Sequence, residues 1–167
     1  MTKKDPWAMS TAVAAWISKA YPEAMIVELG GGTGSQYLHR VCSNVHTIEH
    51  HPKWAKVLEE DGVEHSVCHL TNGWYDLSGE SKFKVQNADV VVVAGPPGRL
   101  RTNVFKHLYN VKPGAVVVFD DAQRPQMDSQ LQQLEKLQGW GYVHELVDTY
   151  GRATRVLQKP HEDTNQS

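Results

Sequence analysis

The residues from Val27 to Gly34, Val-Glu-Leu-Gly-Gly-Gly-Thr-Gly, join a short apolar segment to a glycine-rich loop. The apolar run over residues 24–29 is typical of a buried β-strand, and apolar residues at helical spacing follow the loop, beginning at Tyr37 and Leu38. Glycines between a strand and a helix let the backbone turn tightly and approach a ligand closely. The stretch therefore predicts the strand–loop–helix start of a nucleoside-binding α/β fold.

An acidic residue ends the next predicted strand, residues 45–49. Glu49 follows Gly30 by 19 residues, close to the ~20 expected between such a loop and the acid that holds a ribose. The nicotinamide pattern G-x-G-x-x-G fails, because Ser35 or Tyr37 stands where its third glycine is required. Glu28, just before the loop, favours a cationic ligand over a pyrophosphate. The pattern thus predicts a nucleoside that carries an amino or sulfonium group.

Strand and helix patterns alternate along the rest of the chain. The run Val90–Val93 is β-branched without polar alternation, which is typical of a parallel strand covered on both faces. Two last strands, 142–147 and 153–157, are joined by five residues and predict an antiparallel hairpin. We predict an α/β, doubly wound, Rossmann-like fold with a mostly parallel seven-stranded sheet and a C-terminal antiparallel hairpin. Residues 63–70 are predicted to be its third strand and residues 71–87 a polar loop.

Length and composition limit the class of protein. The 167 residues, of which 40% are hydrophobic and 22% charged, predict a single domain over 1–160, with an N-terminal helix at 7–20 and a flexible tail at 161–167. A net charge of −2 provides no general basic face, so no nucleic acid partner is expected. The N-terminal residues lack a signal peptide and no apolar run is long enough to span a bilayer, so we expect a cytoplasmic protein without a membrane partner.

The glycine loop and Glu49 resemble the first motif and the ribose-binding acid of the class I methyltransferases that depend on S-adenosylmethionine (SAM). The resemblance covers residues 24–158, and the chain looks like a small, minimal Rossmann-like member. It implies SAM as the cofactor, with Glu28 near the methionine amino group and Glu49 on the ribose hydroxyls. By the same resemblance, the residues that line or border the cofactor are Gly30, Gly31, Gly32, Thr33, Gly34, His50, Leu70, Thr71 and Gly95.

Two adjacent carboxylates follow the predicted strand at 115–119. Asp120 and Asp121 are candidates for a catalytic base or for ligands of a divalent metal. The pattern of metal-dependent O-methyltransferases wants a third carboxylate where this chain has Ala94 and Gly95. Divalent metal therefore remains an alternative, and no metal ligand is assigned. Asp120 or Asp121 can instead cap the helix that starts near Arg124.

The remaining loops supply candidates for an acceptor site. Arg99, Arg101 and Arg124 are placed to bind a carboxylate or phosphate, and Trp74 and Tyr75 to form an aromatic wall. The alternatives are solvated surface arginines and aromatic side chains that only pack.

The function predicted from these residues is SAM-dependent O-methylation of a small-molecule or sugar-like acceptor. A looser resemblance connects the chain to sugar O-methyltransferases that act on glucuronate residues. The alternative is a methyltransferase-like module that binds or scaffolds without catalysis. Because no substrate domain is inserted, we expect the acceptor site to come from the N-terminal helix and residues 71–87. A second subunit is a further candidate contributor, so a homodimer is one expectation.

Overall fold

The computed structural model describes residues 9–161. Five α-helices are described: α1 Thr11–Ala20, α2 Ser35–Val41, α3 Pro52–Glu60, α4 Gly79–Asn87 and α5 Pro125–Leu137. The strands are β1 Ile26–Leu29, β2 Val45–Glu49, β3 His65–Val67, β4 Leu70–Thr71, β5 Trp74–Tyr75, β6 Val90–Val93, β7 Val116–Phe119, β8 Gly141–Val147 and β9 Ala153–Gln158. Two 3-10 segments, Gly98–Lys106 and Leu108–Asn110, lie between β6 and β7.

Seven strands form one sheet in the order β3-β2-β1-β6-β7-β9-β8. The pairs from β3 to β7 are parallel, whereas β9 runs antiparallel to both β7 and β8. This arrangement confirms the predicted doubly wound sheet with its C-terminal hairpin. The chain fills one half of the sheet from β1 outward and then returns to β6, so the switch point, where ligands bind in such sheets, lies between β1 and β6.

The valine strand β6 is buried because both faces of the sheet are covered. Val91 and Val93 face a core that includes Met127 and Leu131 of α5. Val90 and Val92 face the other core, which α1 and α2 cover with residues such as Ile17. Because successive side chains on a strand point to opposite faces, a run of four valines suits a strand with two apolar sides.

The segment after β2 differs from its prediction. The third strand spans only His65–Val67, and the predicted loop at 71–87 contains the β4–β5 hairpin and helix α4. The hairpin turns at Asn72 and Gly73, both with positive φ, which is the geometry of a tight two-residue turn. The spacing of apolar residues does not predict helix α4, because the helix buries only Ser81 and Val85. A capping box at Ser78 defines where the helix starts.

Three boundaries are also corrected or limited. Helix α1 begins at Thr11, where the Ser10 side chain accepts a hydrogen bond from the Ala12 amide; residues 7 and 8 of the predicted helix and residues 162–167 of the predicted tail lie outside the described residues. The spacing of Val104, Phe105 and Leu108 predicts an α-helix, but the structure has two 3-10 segments there. Across residues 9–161, none of the helices is both long enough and apolar enough to cross a bilayer.

Candidate functional site

A cavity of about 470 Å³ opens where β1, β2, β6 and β7 end. Its volume lies within the range of small-molecule sites, and its place at the switch point is where this class of sheet binds ligands. The wall combines backbone from the glycine loop with charged side chains from three further loops. The lining residues are Gly30, Gly31, Gly32, Thr33, Glu49, His50, His51, Trp54, Tyr75, Ala94, Gly95, Pro96, Pro97, Arg101, Asp120, Asp121, Gln123, Arg124 and Arg152.

The glycine loop packs directly on the end of β6. Gly30 has a φ of +91°, and a methyl group on its Cα would lie 2.5 Å from the Gly95 amide nitrogen. Only glycine allows both this conformation and this approach. Gly34 lies outside the cavity wall, where a methyl group would meet the Met9 carbonyl oxygen at 3.1 Å. The loop therefore presents Gly30 to Thr33 to a ligand, and Gly34 to the chain before α1.

The Glu49 carboxylate stands at the cavity wall and already accepts two backbone hydrogen bonds. Oε2 accepts from the Gly31 amide at 2.6 Å, and Oε1 accepts from the His51 amide at 3.0 Å. His50 Nδ1 lies 3.3 Å from Glu49 Oε1 but forms no hydrogen bond. Glu49 is therefore oriented by the loop that it faces, and a carboxylate oxygen can accept further bonds from a ligand.

Glu28 does not line the cavity, contrary to the role that the resemblance implies for it. Its side chain is buried on the α2 side of the sheet, where Oε1 accepts from Ser35 Oγ at 2.6 Å and from Thr47 Oγ1 at 2.8 Å. Burial raises the pKa of Glu28 to about 7, against the opposing effect of these two hydrogen bonds. Because Ser35 Oγ also accepts from the Gly32 amide at 3.0 Å, Glu28 supports the loop from behind.

The two aspartates after β7 have different surroundings. The Asp121 carboxylate is paired with Arg101 and lies 3.1 Å from Arg124 Nη2, so two guanidinium groups hold it. Burial, and then the charge of Asp121, raise the pKa of Asp120. The Thr154 hydroxyl donates to Asp120 Oδ1 at 3.5 Å. Asp120 thus fits a proton acceptor and Asp121 a structural anion.

The aspartate pair does not fit a divalent metal site. The paired guanidinium groups already neutralise Asp121, and a cation there would be repelled by them. Within residues 9–161, the group that brings three possible ligand side chains together is His46, Glu64 and Glu80, which does not include Asp120 or Asp121. Helix capping is not their role either, because α5 begins after Arg124, with Pro125 as its first residue.

The architecture of this chain also occurs in solved structures of other proteins. No protein-family model matches the sequence, and no curated protein matches it. Solved structures match it over most of its length. A SAM-bound amino pentose methyltransferase from Micromonospora echinaspora has 15% identity and a TM-score of 0.60, with 93% of this chain and 92% of that chain covered. A TehB-like SAM-dependent methyltransferase from Corynebacterium glutamicum has 16% identity and a TM-score of 0.61, with 87% and 86% covered.

The chain has the methyltransferase fold. A SAM-bound O-methyltransferase from Streptomyces achromogenes agrees with this assignment, at 19% identity and a TM-score of 0.52, with 95% of this chain and 91% of that chain covered. At these identities the likeness concerns the fold, and the chemistry of this chain rests on its own residues.

Within this methyltransferase fold, several predicted residues lie away from the cavity. Trp74, predicted for a substrate wall, is buried, stacks on His107 with ring centroids 5.4 Å apart, and does not line the cavity. Leu70 packs on the core, and Thr71 is exposed in the same hairpin. Arg99 is exposed and does not line the cavity. Tyr75, the neighbour of Trp74, does line it.

Arg101 holds two loops of the site together, a role that its place in the sequence does not indicate. Its buried guanidinium donates to the carbonyl oxygens of Ala94 at 2.9 Å and Pro96 at 3.2 Å, in addition to pairing with Asp121. It therefore ties the loop after β6 to the loop after β7. No signal in the sequence separates it from Arg99, because both precede the same apolar positions of one segment. The hairpin that carries Tyr75 did have a signal, the pair Asn72-Gly73.

Proposed function

We propose that this chain is a SAM-dependent methyltransferase that acts on a hydroxyl group of a small or sugar-like acceptor. The observation that carries the proposal is the position of Glu49 and Asp120 in one cavity, on either side of the switch point. The carboxylate at the end of β2 suits a ribose, and the carboxylate at the end of β7 suits an acceptor proton. The two SAM-bound methyltransferases described above share the fold and support the choice of donor.

Two features of the donor side support the choice of SAM. Glycine residues at the wall leave backbone exposed to a ligand, and Glu49 offers oxygen acceptors to the hydroxyl groups of a ribose. SAM supplies an activated methyl group on a positively charged sulfur. The protein then has to orient an acceptor in line with that methyl group and to remove its proton.

Asp120 is the residue we assign to proton removal. Asp120 is one of the residues that line the cavity, and its raised pKa makes it a stronger base than an ordinary aspartate. Asp121 serves a different purpose, because its pairing with Arg101 and Arg124 fixes the two loops around the acceptor. Arg124 also lines the cavity, and its partly exposed guanidinium suits a carboxylate on the acceptor, such as that of a uronic acid.

Calorimetry tests the donor side. We expect wild-type protein to bind SAM and S-adenosylhomocysteine (SAH) with micromolar affinity and not to bind NAD. Glu49→Gln removes one anionic acceptor and should weaken both SAM ligands at least tenfold. Glu59→Gln, an exposed change of the same type on α3, should leave both affinities unchanged. Absence of binding by the wild-type protein contradicts the proposed function.

Transfer of radiolabelled methyl groups tests the acceptor side. The panel consists of uronic acids, neutral sugars and hydroxylated aromatic acids, each assayed with and without magnesium. Asp120→Asn should lower turnover at least a hundredfold while SAM affinity is retained. Equal rates for Asp120→Asn and wild type contradict the assignment of the base.

A non-catalytic binding module is the second candidate, favoured by one observation. Ala94 and Gly95, at the end of β6, provide no polar side chain beside the cavity. A protein of this kind would bind SAM or SAH, show no transfer to any acceptor in the panel, and lose nothing in partner binding on Asp120→Asn.

A further inference from the structure

Among the residues that the structure describes, the Tyr75 hydroxyl is a buried polar group without a hydrogen-bond partner. The side chain lines the cavity and is only 4% exposed, and its oxygen has no hydrogen-bond partner within residues 9–161. The ring is fixed between Trp74 and His50, whose ring centroids lie 5.2 Å and 6.1 Å away. A buried hydroxyl that is left unpaired costs free energy, so its persistence at a cavity wall suggests that a ligand supplies the partner.

This hydroxyl occupies the space where a side chain at Gly95 would project. A methyl group on the Gly95 Cα would lie 2.5 Å from the Tyr75 oxygen and 2.9 Å from the Gly30 Cα. The β4–β5 hairpin therefore delivers a polar oxygen to the end of β6, although the sequence of that strand end contains none. The oxygen lies at the gap between β1 and β6, which is the switch point of the sheet.

The position of the Tyr75 hydroxyl lies on the path that the donor takes through the cavity in the proposed reaction. A donor whose ribose is held by Glu49, at the end of β2, has to present its methyl group toward Asp120, at the end of β7. Strands β1 and β6 lie between β2 and β7 in the sheet. The reacting part of the donor therefore passes Gly30, Gly95 and the Tyr75 hydroxyl.

We propose that the Tyr75 hydroxyl oxygen contacts the methyl-bearing sulfonium of bound SAM and selects it over the neutral thioether of SAH. This inference rests on the proposed function. The oxygen has lone pairs that no other group uses, and these attract the positive charge that the sulfonium spreads over its methyl group. Burial, and then the Glu49 charge, raise the pKa of Tyr75 well above 10, so the hydroxyl stays neutral at physiological pH.

The test compares two ligands on one substitution. Tyr75→Phe keeps the ring and removes only the oxygen, so we expect SAM affinity to fall about tenfold while SAH affinity changes less than twofold. Tyr109→Phe, at an exposed tyrosine, is the matched control and should change neither affinity. Equal losses for SAM and SAH, or no loss for either, would overturn the assignment to the sulfonium.

Two further readouts separate failure of this inference from failure of the proposed function. If wild-type protein binds neither ligand, the proposed function fails and this inference fails with it. If wild-type protein binds both ligands and Tyr75→Phe leaves their ratio unchanged, only the inference fails. A melting temperature of Tyr75→Phe equal to or above that of wild type is expected, since the change removes an unpaired buried group; a lower one would indicate that the hydroxyl has an internal partner, contrary to the inference.

Discussion

The raised pKa of the buried Glu28 carboxyl predicts how the free energy of unfolding depends on pH. Its pKa rises from 4.5 to about 7 in the folded chain. The folded state therefore holds its proton more tightly than the unfolded state, and between these two pH values it binds more protons. Stability is complete below the unfolded pKa and is lost as the pH rises through the folded pKa. At about 1.4 kcal/mol for each tenfold difference in proton affinity, the full loss is about 3 kcal/mol.

Replacing Glu28 with glutamine removes this titration. The amide oxygen can still accept the hydrogen bonds from Ser35 and Thr47 that the carboxyl oxygen accepts, and the neutral side chain resembles the protonated acid. We expect the free energy of unfolding of Glu28→Gln, relative to wild type, to increase by roughly 2–3 kcal/mol between pH 5 and pH 8.

Urea denaturation at pH 5, 6, 7 and 8, followed by tryptophan fluorescence, measures this difference. Titrations elsewhere in the chain affect both proteins alike and cancel in the comparison. Glu59→Gln on the exposed face of α3 provides a control that should follow the wild-type curve. A difference between Glu28→Gln and wild type that stays constant from pH 5 to pH 8 would refute the reasoning, because it would show that the folded state does not hold the proton.

Four other substitutions test the packing of the cavity loops and of the hairpin that carries Tyr75, each by thermal denaturation. Gly30→Ala should lower the free energy of unfolding by about 3 kcal/mol, because φ is +91° and a methyl group would clash with the Gly95 backbone. Gly32→Ala, whose methyl group would meet nothing within 4 Å, should change it by less than about 0.5 kcal/mol. Equal effects of the two variants would contradict the described loop. Arg101→Met should cost about 3 kcal/mol by leaving the buried Asp121 carboxylate with one partner fewer, and a neutral result would mean that the pair is solvated. Asn72→Ala, at a φ of 53°, should cost about 1 kcal/mol, and no loss would show that the turn has a different conformation.

The sequence was sufficient for the features that depend on local pattern. Three features can be recognised from the sequence alone, because spacing, β-branching and charge are local properties of the chain. They are the glycine loop, the run Val90–Val93 and the carboxylate of Glu49. They predicted the mostly parallel sheet and residues that the structure places at the wall of the cavity.

The sequence was insufficient where the direction of a side chain decides. Trp74 and Tyr75 are neighbours on one short strand, and successive residues of a strand face opposite ways, so the hairpin register alone determines that Tyr75 meets the cavity. The same alternation turns Glu28 toward α2 while Val27 and Leu29 face the other core. These outcomes depend on long-range pairing, which a pattern of residue types does not contain.

Two hydrogen bonds order the glycine loop in the unliganded protein: the Gly31 amide donates to Glu49, and the Gly32 amide donates to Ser35. Ordering a backbone residue costs about 1–2 kcal/mol of conformational entropy, and here that cost falls on folding and not on association. A ligand that fits the loop thus binds with little further entropic cost for ordering the loop. The corresponding signature is kinetic: the amide hydrogens of Gly31 and Gly32 should exchange slowly with solvent in the unliganded protein.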